Sequence, residues 1–375
     1  MTFTTLFPYL FAIVFVAAFP PFVGYLVLIE RKLLADFQAR LGPMRVGPHG
    51  LLQPLADALK LLLKEDIVPR SADKFLFFLA PIVSVATAFA SFAVIPITGS
   101  IQIADVNVGI LLISALAAVG VFGIILGGWS SNSNYSLLGA LRGAAQLISY
   151  EVALSLAIVS VIMLSGTLSM AGIVQAQLQQ QVWFAFGNYG FMLLSFFVFL
   201  IAAVAEINRA PFDLPEAESE IVAGYHTEYS GFRWALYMLA EYTNIFIICC
   251  IAVTLFFGGW LRPFPNVELL RWPMDSLFPF SLMALSAFGC WRMKLWPFTI
   301  LLALMGTAFL VPAAATALSG PFWFFFKISV VFYVLVWFRA SWPRLRYDQL
   351  MDIGWKRLIP LALGSLLANA MIGMI

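Results

Sequence analysis

Runs of about 20 apolar residues recur along nearly the whole chain, and they restrict its fold more than any other feature. A run of this length crosses the hydrocarbon core of a bilayer as an α-helix. Of the 375 residues, 62% are hydrophobic and 11% are charged, against roughly 25% charged in soluble domains. The runs that qualify as spans are 7–29, 75–96, 108–129, 147–168, 189–205, 235–260, 277–291, 296–318, 321–338 and 358–375. The sequence therefore predicts an all-α fold, a polytopic transmembrane helix bundle of about 8–10 spans that forms a single membrane domain over residues 1–375.

The distribution of Lys and Arg predicts how the spans are oriented. If the N-terminus lies outside, 18 of the 21 basic residues fall in inward loops, and only Arg262 and Arg271 fall in outward loops. This is the bias that the positive-inside rule describes. The short run 277–291 is needed for that result, because without it Arg292 and Lys294 would face outward. The net charge of +2 argues against nucleic acid as a partner.

The first inward loop, residues 30–74, joins a Gly/Pro-rich segment to a short amphipathic pattern. The glycines and prolines between Gly42 and Gly50 exclude regular structure there. After Pro54, apolar residues recur at helical spacing and predict a short amphipathic helix at the membrane interface. This helix either only anchors the loop at lipid headgroups or also borders a cavity for a ligand with a polar head and an apolar tail. The charges beside that cavity would come from Arg31, Arg40, Arg45 and Asp57.

Carboxylates are concentrated in and around the acidic inward loop, residues 206–234. Positions 206 to 241 contain seven Asp or Glu residues and only two Arg residues. Glu151 and Glu241 lie inside predicted spans, where an ionised carboxylate needs a partner or water, so both are candidates for a proton path. Glu206 and Arg209 have the alternative of a plain ion pair at a helix end. The remaining acids are Asp213, Glu228 and a group that could also form a solvated inward face, Glu216, Glu218 and Glu220.

The cysteines and histidines predict no metal site. Cys249, Cys250 and Cys290 lie in apolar runs and lack the clustered spacing of zinc or Fe–S ligands. His49 and His226 are the only histidines, so a haem held by paired membrane histidines is not expected.

Several long motifs, in order along the chain, resemble one known family. They are Glu30-Arg-Lys, Gln38-x-Arg40-x-Gly-Pro, Gly50-Leu-Leu-Gln-Pro-x-Ala-Asp57, Ser149-Tyr-Glu151, Glu206-x-Asn-Arg209-x-Pro-Phe-Asp213-Leu-x-Glu216-x-Glu218-x-Glu220, Glu228-Tyr, Ala240-Glu241-Tyr and Arg339-Ala-Ser-x-Pro-Arg344-x-Arg346-Tyr-Asp348-Gln. Together they resemble the quinone-site membrane subunit of proton-pumping NADH:quinone oxidoreductase, respiratory complex I, which is called the H subunit in bacteria and subunit 1 in mitochondria.

The resemblance implies a role within a larger enzyme. Quinone would be the substrate, no cofactor would be bound covalently to this chain, and FMN and Fe–S clusters would belong to partner subunits, with both peripheral and membrane subunits as neighbours. The membrane would be the bacterial inner (plasma) membrane or, alternatively, the mitochondrial inner membrane. By resemblance, the quinone-binding residues are Arg31, Gln38, Arg40, Asp57 and Arg339. The proton path would use Glu151, Glu206, Asp213, Glu216, Glu218, Glu220, Glu228 and Glu241, with supporting charge from Arg142 and Arg209.

One departure from the family pattern and one close alternative are relevant. Roughly forty extra residues, about 262–318, separate the sixth span from the Lys-bearing span 321–338, and we interpret them as an added helical hairpin. The alternative is the homologous membrane subunit of a proton-translocating hydrogenase complex, which handles no quinone. The Arg-rich segment from Gln38 to Asp57 favours the quinone enzyme. An ion channel or transporter is disfavoured, because the chain shows no inverted repeat, and a passive anchor would leave Glu151 and Glu241 unexplained.

Overall fold

A computed structural model describes residues 3–215 and 222–373, and these residues form helices joined by loops and short helical turns. Those that can span a membrane by length and composition are α3, α4, α5, α7, α8 and α11, which confirms the predicted all-α polytopic fold. In chain order the helices are α1 Phe3–Phe37, α2 Gln53–Leu63, α3 Lys74–Phe92, α4 Gly109–Ser130, α5 Asn134–Ser165, α6 Met170–Gln180, α7 Phe191–Glu206, α8 Gly231–Phe256, α9 Phe278–Arg292, α10 Trp296–Ala308, α11 Pro312–Ser341, α12 Tyr347–Asp352 and α13 Ile359–Gly373.

Helix α8 is the central helix of the main hydrophobic core. Every residue from Ile245 to Phe256 is buried, on all sides of the helix. A helix that is apolar all round is stable only when neighbours cover all of its faces. Helices α1, α3, α7 and α11 supply those neighbours, and aromatic contacts such as Phe19–Phe246 (5.9 Å) and Phe199–Phe256 (5.3 Å) fill the space between them.

Small residues let α3, α4 and α5 approach one another closely. A Cβ atom at Gly123 would lie 2.1 Å from the Ser84 hydroxyl oxygen of α3, and one at Gly128 would lie 2.3 Å from the Ala140 Cβ of α5. Neither distance is sterically possible, so the glycines at these positions set the spacing between helices. This is the small-residue packing that membrane helices use in place of a hydrophobic driving force.

The structure moves several boundaries that the apolar runs predicted. Helix α5 begins at Asn134, well before the run 147–168, because polar residues such as Gln146 are buried against protein and continue the helix. The run 296–318 is divided: α10 ends at Ala308 and α11 begins at Pro312, where a proline fits the first helical turn. Helix α6 lies in a segment that was predicted as a loop.

Helix α2 is amphipathic, as the spacing after Pro54 indicates. Leu55, Leu59 and Leu62 are 50–59% exposed and point away from the protein. The opposite face, with Asp57 and Ala58, is turned towards α1 and α8. This arrangement agrees with a helix that presents its leucines to lipid at the interface.

Helices α9 and α10 form a hairpin within the segment 262–318. The hairpin packs on α11 through stacked rings, Phe278 on Trp323 at 5.3 Å. Its far face is open, with Leu285 70% and Leu304 64% exposed. The carbonyl oxygen of Met293, in the turn between the two helices, lies 3.0 Å from the His49 Nε2 atom. The turn is therefore at the same end of the bundle as the loop 30–74.

This contact predicts which membrane face the turn occupies. A cysteine at position 293 should react with a membrane-impermeant thiol reagent from the side on which the loop 30–74 is labelled, because Met293 is 51% exposed there. The background should carry Cys290→Ser, whereas Cys249 and Cys250 are buried and unreactive. A Glu268→Cys variant, in the opposite loop, is the matched control and should react only from the other side. Labelling of positions 293 and 268 from one common side would overturn the arrangement.

Candidate functional site

An apolar cavity of about 290 Å³ lies between α1, α2 and α8. Its walls are mostly aliphatic, and its polar groups gather at one end. There the Arg31 guanidinium lies 2.9 Å from the Asp57 carboxylate, to which the Gln53 amide also donates a hydrogen bond at 2.9 Å. Tyr242 of α8 contributes an aromatic wall. Pockets of this size and character, with a few convergent polar groups, are typical of small-molecule sites.

The five residues predicted to bind quinone do not all meet at this cavity. Arg31 and Asp57 line it. Gln38 and Arg40 follow the last residue of α1 in an exposed turn, where the Arg40 Nε atom donates to the Gln38 side chain at 2.7 Å. Arg339, near the end of α11, lies against Glu30 on another face of α1. The structure thus separates the predicted set into a cavity pair, a surface pair and a buried arginine.

Four charged side chains form a buried ion cluster between α1, α8 and α11, defined here as Glu30, Arg209, Glu241 and Arg339. Glu30 accepts a hydrogen bond from Arg339, and its carboxylate lies 3.7 Å from the Arg209 guanidinium. The Arg209 Nε atom lies 2.5 Å from the Glu241 carboxylate. Two cations face two anions, which is the balance that buried charges require. A gap of about 20 Å³ beside Glu30, Arg209 and Arg339 has room for one water molecule.

A second cavity, the polar chamber, lies between α3, α4, α5, α7 and α8 and has a volume of about 110 Å³. Three of the predicted proton-path acids line it: Glu151 of α5, Glu206 at the end of α7 and Glu241 of α8. Tyr237 and Asn244, which precede and follow Glu241 by one helical turn, line it too. Three carboxyl groups on three helices therefore share one space that is large enough for several waters.

The inner end of the chamber is closed by aromatic residues that precede and begin α8. The Tyr225, His226 and Tyr237 rings pack together, with centroids 3.8–5.3 Å apart. The Tyr229 hydroxyl donates to the Phe77 carbonyl at 3.3 Å. Burial raises the pKa of Tyr229, so its hydroxyl remains a neutral donor at physiological pH.

Gln146 positions the acidic segment that follows α7. Its amide donates to the Ala205 carbonyl at 2.7 Å and to the Phe212 carbonyl at 2.8 Å. Because both acceptors are backbone groups that flank Glu206 and Asp213, this one side chain fixes the chain on either side of the turn. Gln146 thus acts on α7 and not on Glu151 of its own helix.

The remaining predicted site residues lie at the periphery of the chamber or beyond the described chain. Asp213 and Glu228 are partly buried and do not belong to the lining of the chamber. Arg142 lies with its guanidinium 5.9 Å from the centre of the Tyr347 ring. Glu216, Glu218 and Glu220 fall outside the described residues.

Two contributors were not predicted as site residues from the sequence. Glu30 ends a predicted span and resembles an interfacial residue, but it is only 3% exposed and joins two arginines. Tyr242 follows Glu241 and resembles a core residue, but the Arg209 guanidinium lies 4.6 Å from the centre of its ring. A carboxylate at the edge of an apolar run is the sequence signal that could have identified Glu30.

Comparison with known proteins identifies the family. Residues 10–370 match the family model described as NADH dehydrogenase. The second H-type NADH-quinone oxidoreductase subunit of Solibacter usitatus (strain Ellin6076) is 58% identical over 379 residues, covering 98% of this chain and 96% of that protein. The first H-type subunit of the same enzyme from Koribacter versatilis (strain Ellin345) is 51% identical over 374 residues, covering 94% and 88%. The H-type subunit of Brevibacillus brevis (strain 47 / JCM 6285 / NBRC 100599) is 44% identical over 369 residues, covering 98% and 94%.

These matches extend over nearly the whole chain and confirm the resemblance that the motifs indicated. The chain belongs to the NADH dehydrogenase family, the family of the H-type membrane subunit of the multisubunit NADH-quinone oxidoreductase.

Proposed function

We propose that this chain walls part of a quinone-binding tunnel and couples quinone reduction to proton translocation through its buried carboxylates. One observation carries the proposal: three consecutive contacts join the apolar cavity to the polar chamber. Tyr242 lines the apolar cavity and packs against Arg209. Arg209 is paired with Glu241, and Glu241 lines the chamber. A change of charge in one cavity therefore acts on the other through directly touching groups.

The apolar cavity suits a quinone by its shape and by the placement of its polar groups. A quinone has a polar ring with two carbonyl oxygens and a long apolar tail. Aliphatic side chains such as Val27 and Leu61 would contact apolar parts of the molecule, and the Arg31 guanidinium and Gln53 amide can donate to a carbonyl oxygen. The exposed leucines of α2 sit beside this cavity, so that a ligand could enter from the bilayer without crossing water.

Electrostatics provides the coupling. Reduction of a quinone to a quinol takes two electrons and two protons, and negative charge develops before the protons arrive. Two unit charges about 10 Å apart interact by about 1.7 kcal/mol at an effective dielectric constant of ~20. That is more than a tenfold change in an equilibrium. Arg209 lies between Glu30 and Glu241, so such a charge can shift its preference from one carboxylate to the other.

The polar chamber would hold the protons that respond to this shift. When Arg209 moves towards Glu30, Glu241 loses its counter-charge, and an uncompensated buried carboxylate favours protonation. Glu151 and Glu206 face the same space and can exchange protons with Glu241 through water. Protons would reach them past Asp213, Glu228 and the acids outside the described residues, Glu216, Glu218 and Glu220. Arg142 would supply a nearby positive charge.

Electrons must come from elsewhere in the complex. We propose that FMN and Fe–S clusters in peripheral subunits pass electrons to the quinone, that this chain binds no cofactor covalently, and that other membrane subunits surround it. We place it in the bacterial inner (plasma) membrane, with the loops 30–74 and 206–234 facing the cytoplasm. The names of the relatives favour this function over that of the hydrogenase subunit.

The first test concerns the apolar cavity. In an assembled complex, Arg31→Ala should lower quinone reductase activity about tenfold, a barrier increase of about 1.4 kcal/mol, because the quinone ring loses a donor. NADH oxidation by a hydrophilic artificial acceptor should be unchanged, since that reaction ends at the flavin. Lys356→Ala, which removes an exposed ion pair with Asp352, is the control and should leave both rates intact. An equal loss of both activities in Arg31→Ala, at unchanged assembly, would contradict the assignment.

The second test concerns the ion cluster. Glu30→Gln leaves Arg209 and Arg339 opposite the single carboxylate of Glu241. Removing one member of a buried ionic group costs about 3–5 kcal/mol, so the assembled complex should inactivate at a clearly lower temperature and Glu30→Asp should recover part of the loss. Glu268→Gln, at an exposed carboxylate, is the matched control. A thermal midpoint for Glu30→Gln equal to that of the control would show that the cluster carries no net charge balance.

The third test concerns the chamber acids. Glu151→Gln and Glu241→Gln keep the side-chain volume and hydrogen bonding but remove titration, so assembly should survive. Quinone reductase turnover should fall well over tenfold for at least one of them, a barrier increase above about 1.4 kcal/mol. The corresponding Glu→Asp variants should retain part of the rate. If both Gln variants, fully assembled, turn over and pump protons at wild-type rates, the carboxylates are not the coupling route.

A further inference from the structure

A row of hydroxyl groups continues the polar chamber away from its carboxylates. Ser84, Thr87 and Ser91 follow one another at helical spacing along α3, and Ser114 of α4 lies on the same chamber. Residues spaced by three and four positions share one face of a helix. The row from Ser84 to Ser91 is therefore about 10 Å long at 1.5 Å per residue.

The chamber is long relative to its volume. On α8 its lining extends from Tyr237 to Ile251, which is about 21 Å at 1.5 Å per residue, or roughly two thirds of a 30 Å hydrocarbon core. A file of waters 2.8 Å apart over that length contains about seven molecules. A volume of about 110 Å³ is of the size that such a single file needs.

The far part of the chamber depends on the hydroxyl row for its polarity. Beyond the carboxylates and Asn244, the lining of α5 and α8 is aliphatic, with Ile158, Ile248 and Ile251. An aliphatic cavity stays dry, whereas waters need two to four polar partners each. On this stretch, the row on α3 and α4 supplies those partners.

Each hydroxyl is arranged to accept a hydrogen bond from water. The hydroxyls of Thr87, Ser91 and Ser114 donate to carbonyl oxygens of their own helices at 2.9–3.1 Å. A hydroxyl oxygen has two lone pairs besides its one donor, so each can still accept from water. The close approach of α3 and α4 is required, because Gly120 leaves 3.3 Å between its Cβ position and the Thr87 hydroxyl oxygen.

We infer that this row lines a proton-conducting water file, leading from the chamber acids towards the membrane face opposite the loop 30–74. The inference rests on the proposed function of the acids and adds the direction in which protons leave. A carboxyl group of the chamber gives its proton to the nearest water, the file passes one proton to its far end, and the carboxylate is reprotonated from the side of the ion cluster. No electron moves in this step.

The test removes two hydroxyls and keeps their volume nearly constant. In the assembled complex, Thr87→Val combined with Ser114→Ala should lower coupled quinone reductase turnover and proton translocation at least fivefold, and should increase the solvent deuterium isotope effect. Thr87→Ser, which keeps the hydroxyl, should retain at least half of both rates. Each rate is measured in inverted membrane vesicles, with a pH-sensitive dye for protons and NADH absorbance for electrons.

Matched controls separate proton conduction from packing. Thr254→Val and Ser160→Ala remove hydroxyls that are equally buried and bonded to their own helices but lie outside the chamber; both should behave as wild type. A loss in these controls equal to that of the double variant would overturn the inference. Wild-type pumping in Thr87→Val/Ser114→Ala beside an impaired Glu241→Gln complex would also overturn it, while the role of the acids would stand. Wild-type pumping in both acid variants would instead remove the proposed function.

Discussion

The buried ion cluster is the interaction on which the rest of the site depends. Glu30, Arg209, Glu241 and Arg339 belong to three helices and to the segment after α7, so their pairing fixes the relative positions of all four. Ionic groups of this kind add little net stability, but losing one partner is costly because the others remain buried. The fold is thereby committed to an arrangement in which a charge-sensitive group lies between the two cavities.

Helix α8 makes this arrangement possible by facing two ways. Consecutive residues on an α-helix point about 100° apart. Glu241 therefore faces the polar chamber while its neighbour Tyr242 faces the apolar cavity, and one turn earlier and later Tyr237 and Asn244 return to the chamber. Because the second half of α8 is buried on all sides, the helix has little freedom to rotate, and this rigidity keeps the two faces in register.

The sequence predicted features that depend on local pattern better than features that depend on distant contacts. Apolar length identified the main spans, and acids within such runs identified Glu151 and Glu241, both of which line the chamber. Residue type could not tell which charges meet. Gln38 and Arg40 pair with each other on the surface, and Glu30 was missed because its partners follow it by more than 170 positions. The start of α5 was missed for the same reason, since Gln146 is helical only because α7 receives its hydrogen bonds.

The glycines of α4 show how one packing feature can serve two purposes. Read from the sequence, Gly120, Gly123, Gly127 and Gly128 indicate only close helix contact. In the structure, the Cβ positions of Gly120 and Gly123 are directed at the hydroxyl oxygens of Thr87 and Ser84. A larger residue at either position would have to displace the hydroxyl or separate α3 from α4. Close packing and a polar lining are usually opposed in a membrane protein, because polar groups need space for partners. Here the absence of a side chain on one helix leaves room for the hydroxyls of the other, so the same contact that seals the bundle keeps its interior polar.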